Sequence, residues 1–308
     1  MSEEATRYDA SNIQVLEGWE AIRKRPGMYV GSTGERGLRQ MVFEVAGRAV
    51  NEVLAGRGAS VGITLTPDGS VCVADDGPGI AIDETGAAGS SGLEALLTQV
   101  QAGVGTGGRH DVELGFCGVG PAVVNALSQR MTAEVRRGGV RWVQEYARGA
   151  AATLLTEAGT ATGSGTTIAF WPDADIFGTL ELSFDGLVER FRELAFLNQG
   201  LAISLTDLRR PGESRSVRFR FPDGTQDFVT FLDAHPATSA PMDTIAFEHE
   251  DPRMAGMMEV AFRWCTCPEK RVRSFANSRP TVGGTHAVGF RAGLTAAGTT
   301  YARGNRGC

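Results

Sequence analysis

From Gly37 to Ala55 the apolar residues fall at positions 38, 41, 42, 45, 46, 49, 50, 53 and 54. That spacing predicts an amphipathic helix, with Gly56 as its stop. Glu44, Arg48, Asn51 and Glu52 recur at the same period and share one polar face. The pattern then shortens to β runs. VGITL and SVCVA flank the turn residues Pro67-Asp68-Gly69 and predict a hairpin whose second strand stops at Asp75. Further along, the pattern predicts a helix over roughly 92–101, a long glycine-rich loop to Gly120, and a helix PAVVNALSQ from 121. Strands follow near 131–136, 140–147 and Gly165–Trp171, and a helix over roughly 184–196. FLNQGLAISLTDLR is read as opening a second unit rich in short strands, among them SVRFRF, MMEVAFRW and KRVRSFAN. Helical periods alternating with hairpins predict an α+β fold, a two-layer α/β sandwich with one mixed sheet covered on one face by helices. Residues 1–36 are polar and irregular, with a basic knot Arg23-Lys24-Arg25, and read as an arm and a turn.

Composition narrows the class. With 308 residues, 42% of them hydrophobic, the chain has material for two ordinary globular domains, and no stretch is long and apolar enough for a membrane span. The start MSEEATRYDASN lacks the basic and apolar regions of a signal peptide, so a cytoplasmic location is expected. A net charge of −6 offers no overall footprint for nucleic-acid phosphates, so any DNA contact is local or made through a partner. The basic residues are 28 Arg and only two Lys, Lys24 and Lys270. The five cysteines form no CxxC pair; Cys265-Thr-Cys267 is read as two thiols on one strand face rather than half a zinc site.

Four pieces carry candidate chemistry: Glu44 on its helix, Asp75-Asp76-Gly77-Pro78-Gly79-Ile80 after a strand, Gly115-Phe116-Cys117-Gly118-Val119-Gly120 before a helix, and Gly165-Thr166 at a strand start. A carboxylate at a strand end accepts an exocyclic amine, and glycines beside it let a planar ring lie against the backbone. A glycine-rich turn entering a helix leaves amide donors for phosphates. Each piece alone is more often an ordinary loop or turn; their order is far more specific. A Rossmann reading fails because no strand leads directly into GFCGVG and no ribose-binding acid follows at the required distance. A P-loop fails because GxxxxGK is absent.

The segments YDASNIQVLEGWEAIRKRPGMYVGSTGERGL, VADDGPGI, GFCGVGPAVVNALSQ, FLNQGL and GGTHAVGFRAGLT together resemble the gyrase B family of topoisomerases, over nearly the whole chain. The resemblance implies a GHKL ATPase fold, with a dimerising arm at 1–36, an ATP-binding domain at 37–200 and a partial transducer at 201–308. It implies that Glu44 is the general base, that Asp75 binds adenine beside Gly77, Gly79, Ile80, Thr166 and Arg136, and that Gly115, Gly118, Val119 and Gly120 hold the phosphates. Tyr8 and Ile13 stand at the positions by which the arm reaches the partner's nucleotide. It also implies a homodimer, or a mixed dimer with an intact gyrase B protein.

Departures from that pattern fall mainly on the phosphate side. Arg48 stands where the family has a magnesium-holding asparagine, and a guanidinium has no acceptor to ligate a cation, so Mg²⁺ binding is doubtful. Three outcomes are open for Arg48: repulsion of the metal, a fixed positive charge near the phosphates, or an ion pair that removes the basicity of Glu44. Gln40 and Gly47 replace a histidine and an acid, Cys117 replaces the phosphate-loop histidine, Gly105 stands in place of a lid lysine, and Pro78 in place of an arginine. Neither lysine falls at a family phosphate contact, and with the sequence stopping at Cys308 a truncated transducer and no DNA-cleaving domain are expected. The expectation is nucleotide binding with weakened or absent hydrolysis and no strand passage by this chain alone. The alternatives are a catalytically dead relative that binds nucleotide or a gyrase inhibitor and regulates or protects the intact enzyme, and a decayed fragment.

Overall fold

The computed structural model describes residues 18–83, 91–100, 112, 114–115, 120–233, 243–251, 256–264 and 272–304. Its elements in chain order are α1 (Gly18–Lys24), α2 (Gly27–Val30), α3 (Glu35–Leu54), β1 (Ser60–Leu65), β2 (Val71–Asp75), α4 (Gly92–Thr98), α5 (Pro121–Ala126), β3 (Ser128–Arg137), β4 (Val140–Ala147), β5 (Ala150–Ala151), β6 (Thr156–Thr160), β7 (Gly165–Pro172) and α6 (Phe184–Leu197). They continue as β8 (Ala202–Asp207), β9 (Arg215–Phe219), α7 (Thr225–Asp233), β10 (Ile245–Asp251), β11 (Gly256–Phe262), β12 (Ser274–Ala276), β13 (Arg279–Thr281) and α8 (Thr285–Gly304).

One mixed sheet dominates, in the order β5-β4-β3-β7-β2-β1-β8-β9, with β6 paired to β4. All its pairings are antiparallel except β1 with β8. Burial alternates along β2 and β7, as it must when helices cover one face. α3, α5 and α6 supply that cover, with α3 packed on β1 and β2, and α6 on β8 and β9. The periodic residues of α3, from Leu38 through Met41, Val42, Val45, Ala46 and Ala49 to Val50, are all buried, each large one contributing roughly 1.5–3 kcal/mol. The α+β sandwich is therefore the observed fold.

Local chemistry sets the element ends. Ser91 and Ser183 cap α4 and α6 by accepting the amides of Glu94 and Gly186. The helix expected to run from 121 to about 129 stops at Ala126, because the Ser128 hydroxyl donates back to the Val124 carbonyl and the chain enters β3 there.

Two regions differ from expectation. Residues 18–30, irregular by their pattern, form α1 and α2, since Ile22 and Val30 are buried and Arg23 is an anchor. Arg23 donates to the Ala126 carbonyl at 2.9 Å and to the Asp173 carboxylate at 2.7 Å. Residues 202–207 and 215–219 do not open a second unit but extend the first sheet past residue 200: β8 lies parallel to β1 and β9 pairs with β8. Leu201, Ile203 and Leu205 are buried there, a partnership with a strand about 140 residues earlier that local patterning does not reveal. Beyond them, β10–β11 and β12–β13 are separate hairpins, and α8 spans the GGTH segment's downstream half.

Candidate functional site

The polar face of α3 turns toward the end of β2, so the sheet end and the helix together wall a site. Asp75 terminates β2 with a side chain only 2% exposed, and in the strand register it faces Thr166 of β7. Its Oδ1 accepts the amide of Gly77 at 3.0 Å. The Thr166 hydroxyl accepts the amide of Ile80 at 3.1 Å, tying the DDGPGI turn to β7. Asp76 serves structure: it accepts the amides of Ala59 and Ser60 and the Ser60 hydroxyl, at 2.7 to 2.9 Å. Burial raises its pKa, but those bonds outweigh burial and hold it below the usual carboxylate value.

Two glycines are needed for close approach here. A Cβ on Gly79, whose φ is 79°, would stand 2.8 Å from the Arg136 carbonyl oxygen. One on Gly165, φ 147°, would stand 2.2 Å from the Asp75 carbonyl oxygen and 2.7 Å from the Arg136 guanidinium. Gly77, Gly79, Ile80, Thr166 and Arg136 are thus gathered around Asp75. Arg137 fastens the rim by donating to the Gly79 carbonyl at 2.9 Å.

Glu44 lies farther along the same helix face and is 5% exposed. Its Oε2 accepts the amide of Gly120, the residue before α5, at 3.2 Å. A Cβ on Gly115 would fall 1.9 Å from Glu44 Oε1, so only glycine lets the loop lie against this carboxylate. Gly115 and Gly120 are therefore brought to Glu44. Gly118, Val119, Cys117, Gly105, Tyr8, Ile13, Cys265 and Cys267 lie outside the described residues.

Two features escape the sequence pattern. Asn51, one turn beyond Arg48, clamps the loop backbone: its Oδ1 accepts the Val112 amide at 2.8 Å and its Nδ2 donates to the Val112 carbonyl at 3.3 Å. Its place on the polar face of α3 is the available signal. The other is the partner of Arg48, whose guanidinium donates to Asp75 Oδ2 at 2.8 Å and stands 4.0 Å from Glu52. Glu52 is bonded in turn by Arg57 at 2.7 Å; burial raises its pKa, but Arg57 and Arg48 bring it below the usual value. Asp75, expected to accept a ligand's amine, already accepts a bond on each oxygen, from Arg48 and from the Gly77 amide.

The donor set does not suit a divalent cation, because Arg48 offers only donors one turn from Glu44. No cluster of three or more His, Cys, Asp or Glu side chains with metal-site geometry occurs among the described residues. What the arrangement offers is a buried strand-end acid at Asp75, a carboxylate against a glycine loop at Glu44, and the Arg48 cation on the helix face that joins them.

Comparison with known proteins adds to this geometry. The family model "Histidine kinase-, DNA gyrase B-, and HSP90-like ATPase" matches residues 33–176, and the model "DNA gyrase B" matches residues 224–307. The chain is 44% identical over 313 residues to the DNA gyrase B protein of Streptomyces coelicolor, covering 96% of this chain and 46% of that protein. It is 41% identical over 318 residues to the novobiocin-sensitive DNA gyrase B protein of Streptomyces niveus, with 96% and 46% covered. The chain thus spans about half the length of these relatives. Among solved structures, the 43K ATPase domain of Thermus thermophilus gyrase B in complex with an aminocoumarin superposes with a TM-score of 0.80 at 30% identity, covering 94% of this chain and 74% of that one.

Proposed function

This chain belongs to the DNA gyrase B family, and from that premise we propose that it is a nucleotide-binding module of gyrase type whose phosphoryl-transfer step is weakened. One observation carries the reading. The polar face of α3 presents Glu44 to a glycine loop and, through Arg48, reaches the strand-end acid Asp75 beside Thr166 and Gly79, and this supports a reading with a base at one end and phosphates at the other. ATP is the ligand this family membership implies. Glu44 would orient the attacking water, and Asp75, Gly77, Gly79, Ile80, Thr166 and Arg136 would hold the base. Gly115, Gly118, Val119 and Gly120 would face the phosphates. On this reading the segment that holds Tyr8 and Ile13 is an arm reaching a partner's nucleotide, the nucleotide domain runs on from it through β9, and a partial transducer follows up to residue 308. The chain would pair with itself or with an intact gyrase B protein in the cytoplasm, touching DNA only through that assembly.

The weakening follows from charge and geometry. Phosphoryl transfer depends on positioning and on neutralising the phosphates. Here the asparagine of the family's metal site is Arg48, which is turned to Asp75. The same contact favours a second reading, a relative that binds nucleotide or a gyrase inhibitor and regulates the intact enzyme without hydrolysis of its own. Calorimetric titration with purine nucleoside triphosphates, paired with a phosphate-release assay, tests both. Binding with release near background supports the proposal; release at the rate of the Streptomyces coelicolor protein measured beside it rejects the weakened step.

A further inference from the structure

Besides the face that carries Glu44 and Arg48, α3 turns a second stripe toward α6. Arg36, Arg39, Gln40 and Phe43 of α3 and Arg190 of α6 line a cavity of about 220 Å³. Phe43 ties the two helices there, its ring edge-on to Phe191 of α6 with 5.6 Å between centroids. Gly186, one turn before Arg190, admits the guanidinium of Arg39: a Cβ on it would stand 3.1 Å from Arg39 Nη1. In a chain of net charge −6, three guanidiniums from two helices thus meet at one cavity.

Their charge is poorly compensated. Arg36 is exposed, and its side chain has no ion pair or hydrogen bond among the described residues. Arg39 reaches its neighbour Glu35 only at 3.8 Å. Arg190 is bound more closely, donating to Glu193 at 2.9 Å and to the Ser278 carbonyl at 2.8 Å. Burial lowers its pKa; Glu193 opposes that, and the charge of Arg279 adds to the lowering. Arg39 also lies against the first turn of α6, the positive end of a 14-residue helix. Asp185, the acid of that turn, is paired with Arg215 instead. An anion in the cavity would relieve the repulsion among the guanidiniums and the helix end together.

We infer that the cavity between α3 and α6 is a binding site for a small phosphoryl oxyanion of phosphate or pyrophosphate size, separate from the residues gathered around Asp75 and Glu44. The forks of Arg36 and Arg39 suit oxygens held on one tetrahedral centre, and several such oxygens can be shared among arginines of different helices, which the two oxygens of a single carboxylate cannot match. Pockets for whole ligands begin at roughly 300 Å³, so this cavity is sized for the anion rather than for a complete nucleotide. Gln40 adds a neutral amide donor, and Phe43 an apolar wall.

The test titrates pyrophosphate and inorganic phosphate into the intact chain by calorimetry, with Arg36→Gln, Arg39→Gln and, as a control outside the cavity, Arg210→Gln, whose side chain is 84% exposed. The expected result is that both anions bind, and that Arg36→Gln and Arg39→Gln each weaken pyrophosphate roughly fivefold or more while Arg210→Gln leaves it unchanged. Neither arginine is buried, and Arg36 has no partner to lose, so its variant keeps the fold. Pyrophosphate bound equally by all four chains places the anion elsewhere, such as at the glycine loop beside Glu44, and overturns the inference. Absence of binding to the unsubstituted chain overturns it as well. A parallel titration with a short DNA duplex separates the sources of the phosphate: duplex binding that depends on Arg36 and Arg39, without pyrophosphate binding, makes the groove a nucleic-acid surface and rejects the small-anion site. Failure of the site leaves the nucleotide reading untouched, because none of its lining residues belongs to that reading.

Discussion

The guanidinium of Arg48 lies 2.8 Å from the carboxylate of Asp75, joining the polar face of α3 to the end of β2 across 27 residues of sequence. A cation one helical turn from Glu44 is thereby committed to the end of β2. Since Asp75 is almost fully buried, the pair also bears on stability: removing one member leaves the other charged and desolvated. Arg48→Ala is expected to lower the unfolding free energy by ~2–4 kcal/mol. The double variant Arg48→Ala/Asp75→Ala is expected to cost less than the sum of the single ones. Urea melts of the four chains measure it, and strict additivity would mean the two side chains do not interact.

Gly165 gives a backbone test of the same pocket. Its φ of 147° and the 2.2 Å approach of a Cβ to the Asp75 carbonyl leave no room for a side chain between β7 and β2. Gly165→Ala is expected to destabilise by more than about 2 kcal/mol. Gly163, φ 78° with nothing within 4 Å of a built Cβ, is the control; alanine there meets only the left-handed backbone cost of ~1 kcal/mol. Equal melting temperatures for the two variants would contradict the packing.

The acid side of the stability profile is set partly by Asp173. Burial raises its pKa, but Arg23 at 2.7 Å, the Asp175 amide at 3.0 Å and Arg148 at 3.2 Å outweigh that and hold it below the ordinary value. A folded pKa below the unfolded one means the stabilisation is complete above the unfolded value, near ~3.9, and is lost as pH falls through the folded value. Arg23→Ala should therefore narrow the difference in stability between roughly pH 6 and pH 3, and loosen α1, which hydrogen exchange at Ile22 reports. An unchanged pH profile would place the acid-sensitive contact elsewhere.

How much of this is legible in the sequence depends on the range of each interaction. α3, the β1–β2 hairpin, β7 and α6 follow local periodicity, and the residues at their ends, Asp75 and Gly165–Thr166, come with them. Arg23 shows only as part of a basic knot, because its partners Ala126 and Asp173 are over 100 residues away. β8 reads as part of a second unit because parallel pairing with β1 has no turn to announce it. For Arg48 the helical spacing offers neighbours on its own helix, and none of the three outcomes it leaves open involves Asp75. Local patterning sees i, i+4 partners; it does not see a strand that the fold brings beneath the helix.

The chain is expected to hydrolyse ATP very slowly. Most of the acceleration in phosphoryl transfer comes from holding the phosphates in line and offsetting their charge. Glu44 is retained, with Gly115 and Gly120 packed against it, so a carboxylate able to orient water is present. On the proposed reading charge compensation is the weak point, because Arg48 is tied to Asp75 and Lys24 is in α1. A positioned carboxylate without that compensation gives orientation but little stabilisation of the transition state. Arg48→Asn should therefore not raise turnover to that of the Streptomyces coelicolor protein, while Glu44→Ala should abolish whatever phosphate release remains and leave nucleotide affinity within about threefold. A phosphate-release assay on the three chains decides it. If the unsubstituted chain turns over at the relative's rate and loses that rate with Glu44→Ala, then Arg48 leaves Asp75 during the reaction and serves the phosphates instead.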